Sequence, residues 1–394
     1  MNALQEPSSS GSFYTQEQEA FRESVREFLR RSVSPHYEQW EQEKLIDRAA
    51  WEAAGEAGLI GISMPEEYGG GGDPDYRWRL IVGEEIARAA VTSFGVGLGV
   101  QDDIVLPYLA DLGTEEQKQR WLPGLIAGTS IGAIAMTEPG AGSDVQGIRT
   151  AAVLDGDTWV LNGSKIFITN GIHADLALVA AVTDPSAGAH GMTLFVVERG
   201  MEGFERGRKL EKVGLHGQDT AELFFRDVRV AAQNVLGEVG HGFAYLMERL
   251  PRERLSIAGG ALTAAEAAYD LAREYVFKRQ AFGAPVGDLQ TVRFTLAELE
   301  TELDVTRAYV ERCVMRLGAG VLTTVEASKA KWWASELQLS VTTRCLQLFG
   351  GYGFMEEYPI ARAFRDSRVQ TIYGGSTEIM KEIIGRDIAR RSRH

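Results

Sequence analysis

Residues 151–169 read AAVLDGDTWVLNGSKIFIT. Short runs rich in apolar, β-branched and aromatic residues surround Asp155-Gly156, and a third run follows Asn162-Gly163. Both dipeptides favour tight turns that need positive φ, so the stretch predicts hairpins. LALVAAVT (176–183), MTLFVVE (192–198) and AELFFRDVRV (221–230) continue the series. Together they predict a compact β domain of six to eight strands over 131–236. Asn162-Gly-Ser164 matches a glycosylation acceptor, which we read as a chance match.

On both sides the pattern turns helical. Phe21, Val25, Phe28 and Leu29 recur at helical spacing, and Trp51 to Leu59 repeats the period before Gly61. YGGGGDPDY, Tyr68 to Tyr76, is a loop by composition. Gly95, Gly97 and Gly99 do not form a dinucleotide fingerprint: the spacing is wrong and no strand precedes them. They suit close helix packing or a roomy pocket. Downstream, Val292, Leu296, Leu299, Leu303, Val310, Cys313 and Leu317 form one long apolar stripe, and Ala258, Gly259, Gly260 and Ala261 would let a neighbouring helix approach closely. The expected order is a flexible lead-in (1–12), a helical domain (13–130), the β domain (131–236) and a helical bundle (237–394).

The chain has 394 residues and a net charge of −14, which disfavours general nucleic-acid binding. At 44% apolar and 24% charged it reads as a folded protein with no membrane span. Its two cysteines, Cys313 and Cys345, and its scattered histidines give no disulfide scaffold and no metal site. No secretory signal is seen in MNALQEPSSSGSF, so a reducing, cytoplasmic setting is expected. G-x-S-x-G, P-loop, H-E-x-x-H and C-x-x-C signatures are missing, which favours a bound organic cofactor over chemistry at a bare side chain.

Several tracts could serve one. AMTEPGAGSD (135–144) offers hydroxyls and main-chain N–H groups. KIFITNG (165–171) puts Phe167 and Thr169 on one face of a strand. KRQAFG (278–283) closes one helix and Gln290 opens the next. QLFGGYGF (347–354) and QTIYGGSTEI (370–379) are glycine-rich breaks between helices. In this order, from about 13 to 392, the tracts resemble the acyl-CoA dehydrogenases. The resemblance implies a mainly α fold with a β domain: an N-terminal α-helical domain, a middle β-barrel-like domain and a C-terminal four-helix bundle. It also implies FAD, an acyl-CoA substrate, a homotetramer or dimer of dimers, and an electron-transferring flavoprotein as electron acceptor.

Position by position, the resemblance implies that Ile134, Ala135, Met136, Thr137, Gly142 and Ser143, with Phe167, Ile168 and Thr169, line the flavin. Phe167 stands where the family usually has Trp. Arg279, Phe282 and Gln290 would hold the FAD of a neighbouring subunit. Gln347, Leu348, Gly350, Gly351, Ser376, Thr377 and Glu378 would be further FAD contacts. Ser143, Ala189, His190, Tyr245, Arg252, Arg254, Gly374 and Gly375 would face substrate.

One departure decides the mechanism. Most members read I-Y-E-G near the C-terminus, and that Glu is the base. Here the text is IYGGSTE and the position is Gly374. A minority branch, the long-chain and isovaleryl-type dehydrogenases, carries its Glu in an E-R-L pattern on the helix after the β domain. LPRERLSIAGG (250–260) puts Glu253 there, and IYGGSTEIMKEIIGR and KAKWWASELQ match the long-chain branch. The resemblance thus implies Glu253 as base, with the Gly374 N–H and a ribityl hydroxyl as donors to the thioester oxygen. Rival readings are an isovaleryl-type enzyme, an oxidase or hydroxylase on the same scaffold, and a non-catalytic flavoprotein. Asp102 and Asp103, unexpected beside an alkyl chain, would cap a helix or meet a polar acyl group.

Overall fold

A computed structural model describes residues 13–393; the lead-in expected at 1–12 lies outside them. The N-terminal helices are α1 (Gln16–Phe28), α2 (Ser34–Glu43), α3 (Arg48–Glu56), α4 (Tyr76–Arg88), α5 (Thr92–Gly99), α6 (Leu106–Leu112) and α7 (Glu115–Ile126). Capping boxes at Thr15 and Thr114, each answered by a Gln three residues on, set the starts of α1 and α7. In α5 the glycines serve close packing. A Cβ at Gly95 would meet Ile86 at 2.6 Å, and one at Gly97 would press on Asn170 and Trp51 at 3.0 and 3.1 Å.

The strands are β1 (Gly132–Ala135), β2 (Ala151–Asp155), β3 (Thr158–Thr169), β4 (Leu176–Val182), β5 (Met192–Glu198), β6 (Phe204–Lys209), β7 (Thr220–Ala231) and β8 (Val235–Leu236). They form one sheet in the order β6-β7-β3-β2-β4-β5-β8, with β1 parallel to β4. The turn at Asp155-Gly156 is present: Asp155 pairs with Thr158 and Gly156 has φ 68°. The hairpin predicted at Asn162-Gly163 is not. Both residues sit inside β3, at a register shift against β7. A Cβ on Gly163 would collide with Thr150, and the Asn162 amide is tied across the sheet to Asp227. The dipeptide therefore makes a bulge instead of a turn.

Buried β4 explains its unbroken apolar run. Leu176, Leu178 and Ala180 face the N-terminal helices, while Ala177, Val179 and Ala181 face the core under β3 and β7. The edge strand β6 escapes the sequence pattern because FERGRK is polar and half exposed.

The C-terminal part comprises α8 (Gly242–Lys278), the small hairpin β9 (Gln280–Ala281) and β10 (Ala284–Pro285), α9 (Gln290–Gly318), α10 (Thr324–Leu348), α11 (Pro359–Ser367) and α12 (Thr377–Arg391). The stripe on α9 faces α8 and α10. Its one seven-residue step is filled by buried Thr306, whose Oγ1 accepts from Trp333 Nε1 at 2.8 Å. Among the described residues, no helix is long and apolar enough to cross a membrane.

Candidate active site

Glu253 sits on α8 with 9% of its surface exposed. Its Oε1 accepts from the Tyr108 hydroxyl at 3.1 Å, and it enters no ion pair among the described residues. Burial pushes its carboxyl up to about 7; the Tyr108 bond and the charges of Arg254 and Arg249 offset part of that rise. Arg249 lies over the Tyr108 ring, 5.2 Å from its centre. A carboxyl group held near neutrality in a dry setting suits general-base work.

One turn further along the same face of α8 is Ile257. A Cβ at Gly374 would overlap Ile257 Cδ1, so the α12 approach packs directly on this face. Gly374 has φ 63° and Gly375 φ 101°, a pair of conformations costly to other residues. The Gly375 carbonyl accepts from Lys331 Nζ at 2.6 Å. Arg254 is buried, and its Nη1 donates to Ser328 Oγ at 3.3 Å. The main-chain N–H groups of Gly374 and Gly375 donate to no acceptor among the described residues. Glu253, Arg254, Gly374 and Gly375 thus share one neighbourhood of α8, α10 and the start of α12.

Asp102 and Asp103 do not cap a helix. Both are buried inside continuous helix and pair with Arg79 at 3.3 and 3.2 Å. Asp102 Oδ1 accepts from Gly61 N–H, and Asp103 Oδ2 from Ser256 Oγ, each at 2.6 Å.

A second group lies on the sheet. Ile134 and Ala135 end β1, Met136 and Thr137 follow, and Ile166 N–H donates to Thr137 O at 2.9 Å, tying this segment to β3. Phe167 has φ 61° at a register shift between Lys165 and Ile168, and its ring is 64% exposed. Such a strained, exposed aromatic marks a place where something else supplies the contact. Gly142 faces open space and Ser143 is exposed. Ala135 and Ile168 point their side chains into the sheet core, so only their main chains can face a ligand.

A third group gathers past the far end of α8. Arg279, Leu348, Gly350 and Gly351 line a cleft of about 450 Å³ with Tyr275 and Tyr352. The Arg279 guanidinium lies over the Tyr352 ring at 5.7 Å and meets no carboxylate among the described residues. Cβ atoms at Gly350 or Gly351 would enter open space. An unpaired fork of N–H donors beside bare main chain fits a phosphate. Phe282, at the hairpin tip, is 95% exposed, and Gln290 and Gln347 are exposed. The sheet group fits an apolar ring system, and the Arg279 group fits phosphates.

The remaining candidates are spread out. Tyr245 accepts from Glu238 N–H at 3.2 Å, Arg252 reaches Ser63 at 3.3 Å, and Ala189 and His190 lie in the β4–β5 connection. Ser376 caps α12; Thr377 is buried and donates to Glu336 at 2.6 Å; Glu378 is exposed. Sequence reasoning missed Tyr108, Arg249 and Lys331. Tyr108 is 145 positions from Glu253, and no local pattern links them.

Comparison with known proteins agrees with this geometry. Residues 15–129, 133–228 and 240–389 match the N-terminal, middle and C-terminal domain models of acyl-CoA dehydrogenase. The chain is 53% identical to a long-chain specific acyl-CoA dehydrogenase of Sus scrofa, over 95% of this chain and 87% of the other. A solved acyl-CoA dehydrogenase from Geobacillus kaustophilus superposes with a TM-score of 0.93 at 50% identity, covering 95% of this chain and 98% of that one. A glutaryl-CoA dehydrogenase from Mycobacterium smegmatis, solved in complex with FADH2, superposes at 0.89 with 27% identity, covering 96% of each chain. The chain belongs to the acyl-CoA dehydrogenase family and is an FAD-dependent oxidoreductase.

Proposed function

We propose that the protein desaturates an acyl-CoA thioester of medium to long chain to the trans-2-enoyl-CoA, with Glu253 as the base. The observation that carries this reading is a buried carboxylate without an ion-pair partner among the described residues, one helical turn from the residue packed on Gly374. Glu253 takes the proton from the carbon next to the thioester. The Gly374 N–H donates to the thioester oxygen as negative charge builds there; one such donor is typically worth about 2.7–4 kcal/mol. Tyr108 orients the carboxylate. Bound FAD supplies the acceptor for the β-hydrogen, which leaves as hydride. Met136, Thr137, Phe167 and Thr169 would line its ring system, and Arg279, Gly350 and Gly351 would hold the phosphates of an FAD whose ring system lies on another subunit.

From Glu253 to the end of α8 is 25 residue steps, or about 38 Å of helix. No single dinucleotide spans from the base to Arg279 of the same chain. We therefore assign Arg279, Phe282 and Gln290 to the FAD of a neighbouring subunit and the protein to a homotetramer. The exposed Phe282, Phe294 and Phe354 support such an assembly. We assign an electron-transferring flavoprotein as electron acceptor.

The test is anaerobic bleaching of the flavin by a panel of acyl-CoA thioesters in the wild type and in Glu253→Gln. Bleaching by medium and long chains that is lost in the variant supports the reading; undiminished bleaching in the variant overturns it. A preference for isovaleryl-CoA would reassign the substrate, and stoichiometric peroxide in air would make the protein an oxidase.

A further inference from the structure

Lys331 is fully buried on α10, yet its ammonium meets no carboxylate within ion-pair distance among the described residues. Its hydrogen bond goes to the carbonyl of Gly375, at 2.6 Å. Burying an ammonium on a single main-chain carbonyl is expensive, and a methionine would fill the same volume without that cost. The carbonyl it holds belongs to a segment that cannot hold itself. Gly374 and Gly375 both have positive φ, and glycine pays heavily in entropy to stay in one conformation. Two further ties come from the same side. Glu336, five residues along α10, accepts from Thr377 Oγ1 at 2.6 Å. Ser328, one turn before Lys331, accepts from Arg254, whose Nη2 lies 3.9 Å from where a Gly375 Cβ would be.

We propose that Lys331 is a positioning residue: it pins the Gly374–Gly375 segment so that the Gly374 N–H is held ready for the thioester oxygen. This rests on the reading of Gly374 given above. Lys331 would act through the Gly375 carbonyl it holds. Without the pin the N–H drifts, and a misplacement near 1 Å costs about 10²-fold in rate.

The experiment is Lys331→Met, examined with a bound enoyl-CoA labelled with carbon-13 at the thioester carbonyl. Infrared difference spectroscopy reads the polarisation of that carbonyl directly, and stopped-flow bleaching separates the reduction rate from binding. The expected result is a carbonyl stretch moved toward its value in free thioester, a reduction rate lower by about 10²-fold, and acyl-CoA affinity changed less than about threefold. Thr377→Val loosens the same segment without removing a charge and takes the place of Lys331→Met if that variant does not fold. An unchanged stretch in the folded variant overturns the proposal, whatever happens to the rate. Glu253→Gln run alongside keeps the two ideas apart. If it bleaches normally the parent reading fails; if it is inert and the stretch in Lys331→Met is unchanged, only the role of Lys331 fails.

Discussion

Two carboxylates, Glu138 beside β1 and Glu253 on α8, are withdrawn from water to nearly the same degree, at 8% and 9% exposure. Their fates are opposite. For Glu138, burial opposes the charge, but Lys165 Nζ at 2.8 Å and the N–H groups of Thr150 and Arg149 prevail and hold it below the ordinary carboxylate range. Its partner Lys165 is itself pushed down to about 8 by burial, against the pull of Glu138. Lys165 also donates to Met136 O at 2.9 Å, so the pair fastens the segment that we assign to the flavin. Glu253 has one hydroxyl and distant guanidinium groups, and burial wins. Being buried does not make a base; being buried without a full set of partners does.

The contrast can be broken at either end. Glu253→Gln removes the proton acceptor and should slow flavin bleaching by about 10²–10⁴-fold with FAD retained. Lys165→Met leaves Glu138 buried and unpaired and should destabilise the fold by about 3–5 kcal/mol, read by denaturant unfolding. In the molecules that remain folded, FAD should be held more weakly, because the Met136 segment loses its tie to Lys165.

A further effect has the opposite sign. Glu253 binds its proton more tightly folded than unfolded, at about 7 against 4.5. The native state therefore holds more protons across that window, and stability falls as pH rises through it. Glu253→Gln removes this penalty and should raise stability by about 3 kcal/mol at pH 8. No such gain should appear well below pH 4.5. A catalytic residue whose loss stabilises the fold would separate it from the structural Glu138.

Milder perturbations sharpen the comparison. The reduction rate should fall about tenfold per pH unit below 7 and level off above about 8, as Glu253 must be ionised to act. Tyr108→Phe removes a donor that favours the carboxylate. It should move that midpoint upward by about one pH unit, since a hydrogen bond to a charged group is worth about 1.5–3 kcal/mol. Rate profiles of reduction against pH check both.

The sequence carried much of this but not evenly. The alternation of helical and strand periods is local, so the order of helices, sheet and bundle is readable from residues close together in the chain. So is the helix break at KRQAFG, where α8 ends at Lys278. Glu253 and Gly374 stood out because one position lacked a carboxylate and another had it. Apart from polar β6, the failures are long-range. Asn162-Gly163 looked like a turn because the colliding Thr150 and the bridging Asp227 are invisible from its neighbours. Asp102 and Asp103 looked out of place because Arg79 comes from another helix. Lys331 in KAKWWASELQ looks like any solvated helical lysine until α12 is folded over it.

Ile257 has a consequence for position 374. Its terminal methyl fills the volume that any side chain at 374 would need, and Gly374 sits in a backbone conformation that a glutamate would resist. Placing a base at 374 therefore carries backbone strain and needs Ile257 to shift. Exchanging the two residues by Glu253→Gly and Gly374→Glu requires Ile257 Cδ1, the free end of a flexible side chain, to turn aside, and trimming position 257 as well should ease the exchange. Positions 257 and 374 are thus linked, each shaping what the other can hold.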